Sequence, residues 1–153
     1  MSAKRFGDYY NTNGRMLQYH YKNHLSDFKD WTQKEHAKDW LLYEENIGKY
    51  ISLDETSLSN GELYTILTNK DGQGKKGSII AIVKGTKANE VIDILYKIPI
   101  EKRNLVEEVT VDMAGSMNLI AKKCFPKTAI VTDRFHVQKL ASEAVQEERI
   151  RLR

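Results

Sequence analysis

From residue 47 onward the chain follows a pattern that few folds accommodate: β-forming runs with short links, then β-forming runs separated by amphipathic helices. Tyr50–Asp54 and Leu63–Thr68 are rich in residues that favour strands. Ser78–Val83 is almost continuously apolar, which predicts a strand buried on both faces. In Asn89–Lys97, Val91, Ile94 and Leu95 share one helical face, and Pro99 stops the helix. Val106–Asp112 is a fourth strand, Gly115–Phe125 a helix closed by Pro126, and Ala129–Thr132 a fifth strand. Arg134–Arg153 is a last helix with Val137, Leu140, Ala141, Ala144 and Val145 on one stripe. Three strands with short links make an antiparallel meander. Strands separated by helices make right-handed parallel crossovers.

The expected fold is therefore α/β, in the order β-β-β-α-β-α-β-α, with a mixed sheet carrying helices on its faces. This is the ribonuclease-H-like order, in which the first and fourth strands deliver acidic groups to adjacent positions. Asp54 ends the first of these strands and Asp112 the fourth. Two neighbouring carboxylates repel unless a proton or a divalent cation lies between them, so the pair is a candidate hard-metal site for phosphoryl chemistry. Asp133, directly after the fifth strand, is expected at the same end of the sheet. It suits either the cap of the last helix or a direct role in chemistry. His136, one turn into the helix, is expected to approach the strand-end carboxylates or a phosphate. Glu55 points to the opposite face from Asp54 if the strand continues, which makes it the weaker ligand. Asp71 and Asp93 read as solvated.

Residues 1–46 differ from the rest. They hold both tryptophans and most of the histidine. They read as a helical or irregular arm, with a short helix capped by Ser26 or Asp27 and another over Trp31–Leu42. The arm either packs its aromatics on a neighbour or forms a basic-aromatic surface for nucleic acid. Lys4, Arg5, Arg15, Lys22 and His24 interleave there with Tyr9, Tyr10, Tyr19 and Tyr21. The net charge of +3 permits nucleic-acid binding without requiring it. Cys124 is the sole cysteine, which excludes an internal disulfide and a cysteine-based zinc site. No apolar run approaches a membrane span, and a cytoplasmic location is expected.

Two motifs point elsewhere and fail on context. Gly72-Gln-Gly-Lys-Lys-Gly77 has the glycine spacing of a dinucleotide loop, but it precedes a strand, whereas that loop must open a helix. It reads as a hairpin connection with Lys70, Lys75 and Lys76 at its tip. His20 and His24 have helical zinc-ligand spacing but lack the acidic residue of that motif and an evident third ligand.

Taken together, Leu53-Asp54-Glu55-Thr56, Val111-Asp112-Met-Ala-Gly115 and Val131-Thr-Asp133-Arg-Phe-His136-Val137 resemble the ISL3-type transposases of bacterial insertion sequences. Ser57–Tyr64, Thr110–Lys123 and Asp133–Leu140 are most similar to the ISAon1-like group within that type. The resemblance runs from about residue 16 to the end. It implies a DDE catalytic domain over residues 47–153 that binds two Mg²⁺ or Mn²⁺ ions and carries out DNA strand cleavage and transfer. Asp54 and Asp112 match its first two acidic positions. The third belongs, in that family, to a later helix beyond an inserted segment. Glu143, Glu147 and Glu148 on the last helix are not equated with it. The resemblance therefore implies the front part of a catalytic domain, incomplete at its C-terminal side and inactive alone if the third acid is missing. Its partner is the DNA of the element's ends in the nucleoid, with self-association or pairing with a full-length transposase as further expectations. A non-catalytic nucleic-acid-binding or interaction remnant is the alternative. So is a complete small nuclease using Asp54, Asp112 and an acid of the last helix.

Overall fold

The computed structural model describes residues 2–57 and 61–152. Residues 58–60, within the Ser57–Tyr64 motif, lie outside the described residues. The chain divides into two compact units, Met1–Ala37 and Lys38–Arg153.

The first unit is a short helical hairpin. Ser2 caps α1 (Ala3–Tyr9) by accepting from the Arg5 amide at 3.3 Å. Asn13 caps α2 (Gly14–His20) by accepting from Arg15 and Met16, at 3.0 and 3.2 Å. The two helices approach so closely that a Cβ on Gly7 would lie 2.7 Å from the Gly14 nitrogen, so glycine is required at the contact. A wider turn, Tyr21–Leu25, ends at Ser26 rather than leading into a helix capped there. Lys22 and Lys34 both lie over the Phe28 ring, at 4.8 and 5.2 Å. Tyr9, Tyr10, Tyr19 and Tyr21 are exposed.

The helix expected over Trp31–Leu42 does not form. Residues 32–39 are turns, and Trp40–Leu42 is β1 of the sheet. The helix-favouring composition of Lys34–Lys38 is overridden by pairing: β1 runs antiparallel to β4 (Ile79–Lys84), with Trp40 opposite Val83 and Leu42 opposite Ala81.

In the second unit, β2 (Tyr50–Ser57) pairs antiparallel with β3 (Leu63–Asn69), and β3 with β4. β2 also pairs parallel with β5 (Glu108–Val111), and β5 parallel with β6 (Ala129–Thr132). The sheet order is β1-β4-β3-β2-β5-β6. This is the ribonuclease-H-like mixed sheet that the sequence order implies, with β1 added at one edge.

α3 (Ala88–Leu95) and α5 (Gly115–Cys124) bury Val91, Leu95, Met117 and Ile120 in one core with Ile51, Leu53, Val109 and Val111 of the central strands. β4 is less enclosed than its apolar run predicts: Ile80, Ala81 and Val83 are buried, but Ile79 is exposed. A one-turn helix unforeseen in the sequence, α4 (Ile100–Arg103), follows Pro99. Its Arg103 is buried, donating from Nε to the Ile98 carbonyl at 3.0 Å and from Nη1 to the Cys124 carbonyl at 2.7 Å. It thus closes the C-terminal end of α5, where helix carbonyls lack partners.

α6 (Arg134–Arg151) has no buried residue. Its expected apolar stripe is solvent-facing, with Val137, Leu140 and Val145 all exposed. Cys124, enclosed under α5, has its thiol pushed up to about 12, chiefly by burial, and is chemically inert at neutral pH.

Candidate active site

The register of the parallel strands sets the geometry. Leu53 is paired with Val111, and Val111 with Thr132. Asp54, Asp112 and Asp133 are the next residues along these strands, so their backbones continue one row. Asp112 and Asp133 directly follow the ends of β5 and β6, whereas Asp54, expected at a strand end, lies inside β2, which runs on to Ser57 because its pairing with β3 continues past Asp54. Adjacent strands lie about 4.8 Å apart, which fixes the backbone spacing along the row. The ladder extends one step further, with the Asp133 amide donating to the Val111 carbonyl at 2.8 Å.

Each aspartate is held by the local backbone. Asp54 Oδ1 accepts from the Glu55 amide at 2.8 Å. Asp112 Oδ1 accepts from the Ala114 amide at 2.9 Å, forming the tight turn that leads into α5. Asp133 Oδ1 accepts from the Phe135 amide at 2.9 Å and is the N-cap of α6. The capping role considered for Asp133 is therefore present, and in the same row as the other two. In each case one carboxylate oxygen is committed to geometry and Oδ2 has no donor among the described residues.

Glu55 is more closely tied to the site than the sequence suggested. β2 continues to Ser57, so Glu55 does point to the face opposite Asp54, alongside Leu53. Burial raises the Glu55 pKa first, then the negative charge of Asp112, then that of Asp54. No residue pattern signals this, because it depends on where β5 ends relative to the β2 pleat.

In metal-free protein this predicts a pH effect. A carboxyl whose folded-state pKa lies above its ordinary value of 4.5 stabilises the fold below that value and loses the contribution as pH rises through the folded pKa. Glu55→Gln is expected to raise stability at pH 7 by a few tenths to about 1 kcal/mol and to be neutral near pH 3. Urea titrations in EDTA at the two pH values check this. Equal effects at both would place its origin in packing rather than charge.

Beside the row, α6 departs so that His136, Lys139, Leu140 and Glu143 share a face, and these line a cavity of about 210 Å³ with Asp112, Met113 and Ala114. His136 thus borders the Asp112 turn, as its place in the sequence suggested. Glu143 borders it as well. Glu147 and Glu148 do not line this cavity.

The other candidates lie elsewhere. Gly72, Gly74 and Gly77 fall in the β3–β4 connection, with positive φ at Gly74 and Gly77. That connection is at the opposite end of the sheet from the aspartate row, since Asn69 pairs with Ile51. The His20 and His24 rings are 5.4 Å apart, and no third metal-binding side chain joins them among the described residues.

The family model for ISL3-type DDE transposases, described as a transposase, matches residues 51–153. The chain belongs to the ISL3-type DDE transposase family. No curated protein gives a significant match. Transposases of this family act in DNA transposition, and DDE chemistry depends in general on divalent metal ions. The matched segment begins one residue after the start of β2 and takes in all three aspartates.

The donor chemistry of the aspartate row suits such ions. Oxygen-only carboxylate ligands select hard cations such as Mg²⁺ and Mn²⁺. The repulsion felt by Glu55 is the kind a cation relieves. Among the described residues, no three His, Cys, Asp or Glu side chains converge on one ion position. No helix among the described residues is long and apolar enough to cross a membrane.

Proposed function

We propose that residues 47–153 act in metal-dependent DNA strand cleavage and transfer, with Asp54 and Asp112 as the carboxylates that hold Mg²⁺ or Mn²⁺. The observation that carries this reading is the parallel β2–β5 register, which pairs Leu53 with Val111 and so sets Asp54 and Asp112 at neighbouring backbone positions, within a transposase-family segment. Bound there, a divalent ion would neutralise phosphate charge and lower the pKa of water. The protein's own part is positional. The β2–β5 ladder sets the backbone spacing of the two residues, and the Asp112 carboxylate accepts from the Ala114 amide in the turn after β5. Asp133 is assigned to orienting α6 at the edge of the site.

A second reading, DNA binding without chemistry, is favoured by the absence of a converged set of three metal-binding side chains among the described residues. Incubating labelled duplex with the protein in Mn²⁺ or in EDTA separates the two. Cleavage that EDTA abolishes supports the first. Binding with no cleavage in any divalent ion supports the second.

Both readings predict weak, mostly non-specific DNA affinity, since the net charge is only +3. Affinity should fall by about tenfold or more between 50 and 200 mM salt, as measured by fluorescence anisotropy. Tight binding indifferent to salt would contradict both.

A further inference from the structure

The cavity between the Asp112 turn and α6 contains a cation that the carboxylate chemistry leaves unused. We propose that Lys139 binds a DNA phosphate in this cavity, holding it against the Asp112 side of the site. This rests on the reading of Asp112 as a metal-holding carboxylate and adds the group that receives the substrate's own charge.

Three observations carry the assignment. The first is position. Asp133 caps α6 at the end of the aspartate row, so the helix starts in fixed relation to Asp112. Lys139 lies one turn beyond His136, and both line the cavity that Asp112 also lines. At about 210 Å³ the space exceeds the roughly 30 Å³ share of a single water several times over, enough for a phosphodiester group.

The second is that the Lys139 ammonium is not firmly paired. Its carboxylate neighbour, Glu143, is 3.9 Å away, whereas the Lys49, Lys84 and Lys87 pairs close to 2.7, 2.7 and 3.0 Å. The Lys139–Glu143 order along the helix is also the less favourable one for a pair four residues apart. The lysine side chain is 62% exposed, so a better anion can take it over at little cost.

The third is charge. The Asp112 and Glu143 carboxylates on the cavity walls would repel a phosphate. A lysine on the facing wall offsets that repulsion as a point charge with three donors. A metal ion coordinated within the cavity itself fits less well, because its walls do not bring three metal-binding side chains onto one position.

Fluorescence anisotropy with a labelled duplex, in Ca²⁺ and in EDTA, tests this on the full chain. Lys139→Gln is compared with wild type, with Lys139→Arg, and with Lys127→Gln. Lys127 is exposed and precedes β6, at the far end of the sheet from the aspartates. Lys139→Gln is expected to weaken Ca²⁺-dependent binding about tenfold and to reduce the salt slope by about one. Lys139→Arg should restore most of the loss. In an Asp112→Asn background, which lacks the carboxylate that holds the ion, the same substitution should change binding less than twofold, because the ion and Lys139 hold one phosphate together and their effects are not additive.

An equal loss from Lys139→Gln in both backgrounds, or as large a loss from Lys127→Gln, would overturn the proposal while leaving the Asp112 reading intact. Wild-type binding that is identical in Ca²⁺ and EDTA would overturn both. Thermal melts of each variant exclude unfolding as the cause.

Discussion

Asp112→Asn is expected to reduce Mn²⁺-dependent cleavage of duplex DNA by about a thousandfold or more, with Asp54→Asn close behind. Losing a carboxylate that holds a catalytic ion forfeits several kcal/mol of transition-state stabilisation, and about 4 kcal/mol corresponds to that factor. Asparagine is the informative substitution because it keeps Oδ1. The Asp112–Ala114 and Asp54–Glu55 hydrogen bonds therefore survive, and the charge alone is removed. The same variants have a stability signature that needs no activity. In EDTA at pH 7, Asp112→Asn should be neutral or stabilising by up to about 1 kcal/mol, since it relieves the repulsion on Glu55. Wild type should gain stability on adding Mn²⁺, and both variants should lose that gain. If both variants are destabilised in EDTA and Mn²⁺ moves none of the melts, the aspartates are structural and the catalytic reading fails.

Arg103→Met is expected to lower the unfolding free energy by about 3 kcal/mol. The methionine retains most of the apolar stem, so the loss reports the guanidinium. It strands the Ile98 and Cys124 carbonyls, which Arg103 satisfies at 3.0 and 2.7 Å, and it ends the contact with the Tyr96 ring at 4.9 Å. Each buried carbonyl left without a donor costs about 1–3 kcal/mol. Because α5 begins directly after the Asp112 turn, a loosened α5 should also weaken the Mn²⁺-linked gain in stability. Urea unfolding with an unchanged m-value checks the main effect. A loss below about 0.5 kcal/mol would mean that solvent replaces the guanidinium without penalty.

Much of the second unit was legible in the chain. The run of β-formers, the helix that stops before Pro99 and the helix closed by Pro126 gave element order, and order with short links gave sheet topology. The strand-end positions of Asp112 and Asp133 followed from that topology, as did the rejection of Gly72–Gly77 as a cofactor loop, whereas Asp54, expected at a strand end, lies inside β2. The arm was legible only in part. Its composition marked it as separate, yet Trp40–Leu42 left the arm for the sheet.

What could be read locally was whatever depends on neighbours within a few residues: periodicity, propensity and turn chemistry. These set which segments are strands and which residues end them. The rest depended on atoms brought together from distant positions. Glu55 feels Asp112 because β5 stops at Val111 and Asp112 follows it directly, beside β2. Arg103 is buried because the end of α5 requires donors 21 residues away. Lys139 borders Asp112 because the β5–β6 register and the Asp133 cap aim one face of α6 at the Asp112 turn. Register, pleat and helix direction are properties of the assembled sheet, and a single strand carries no record of them.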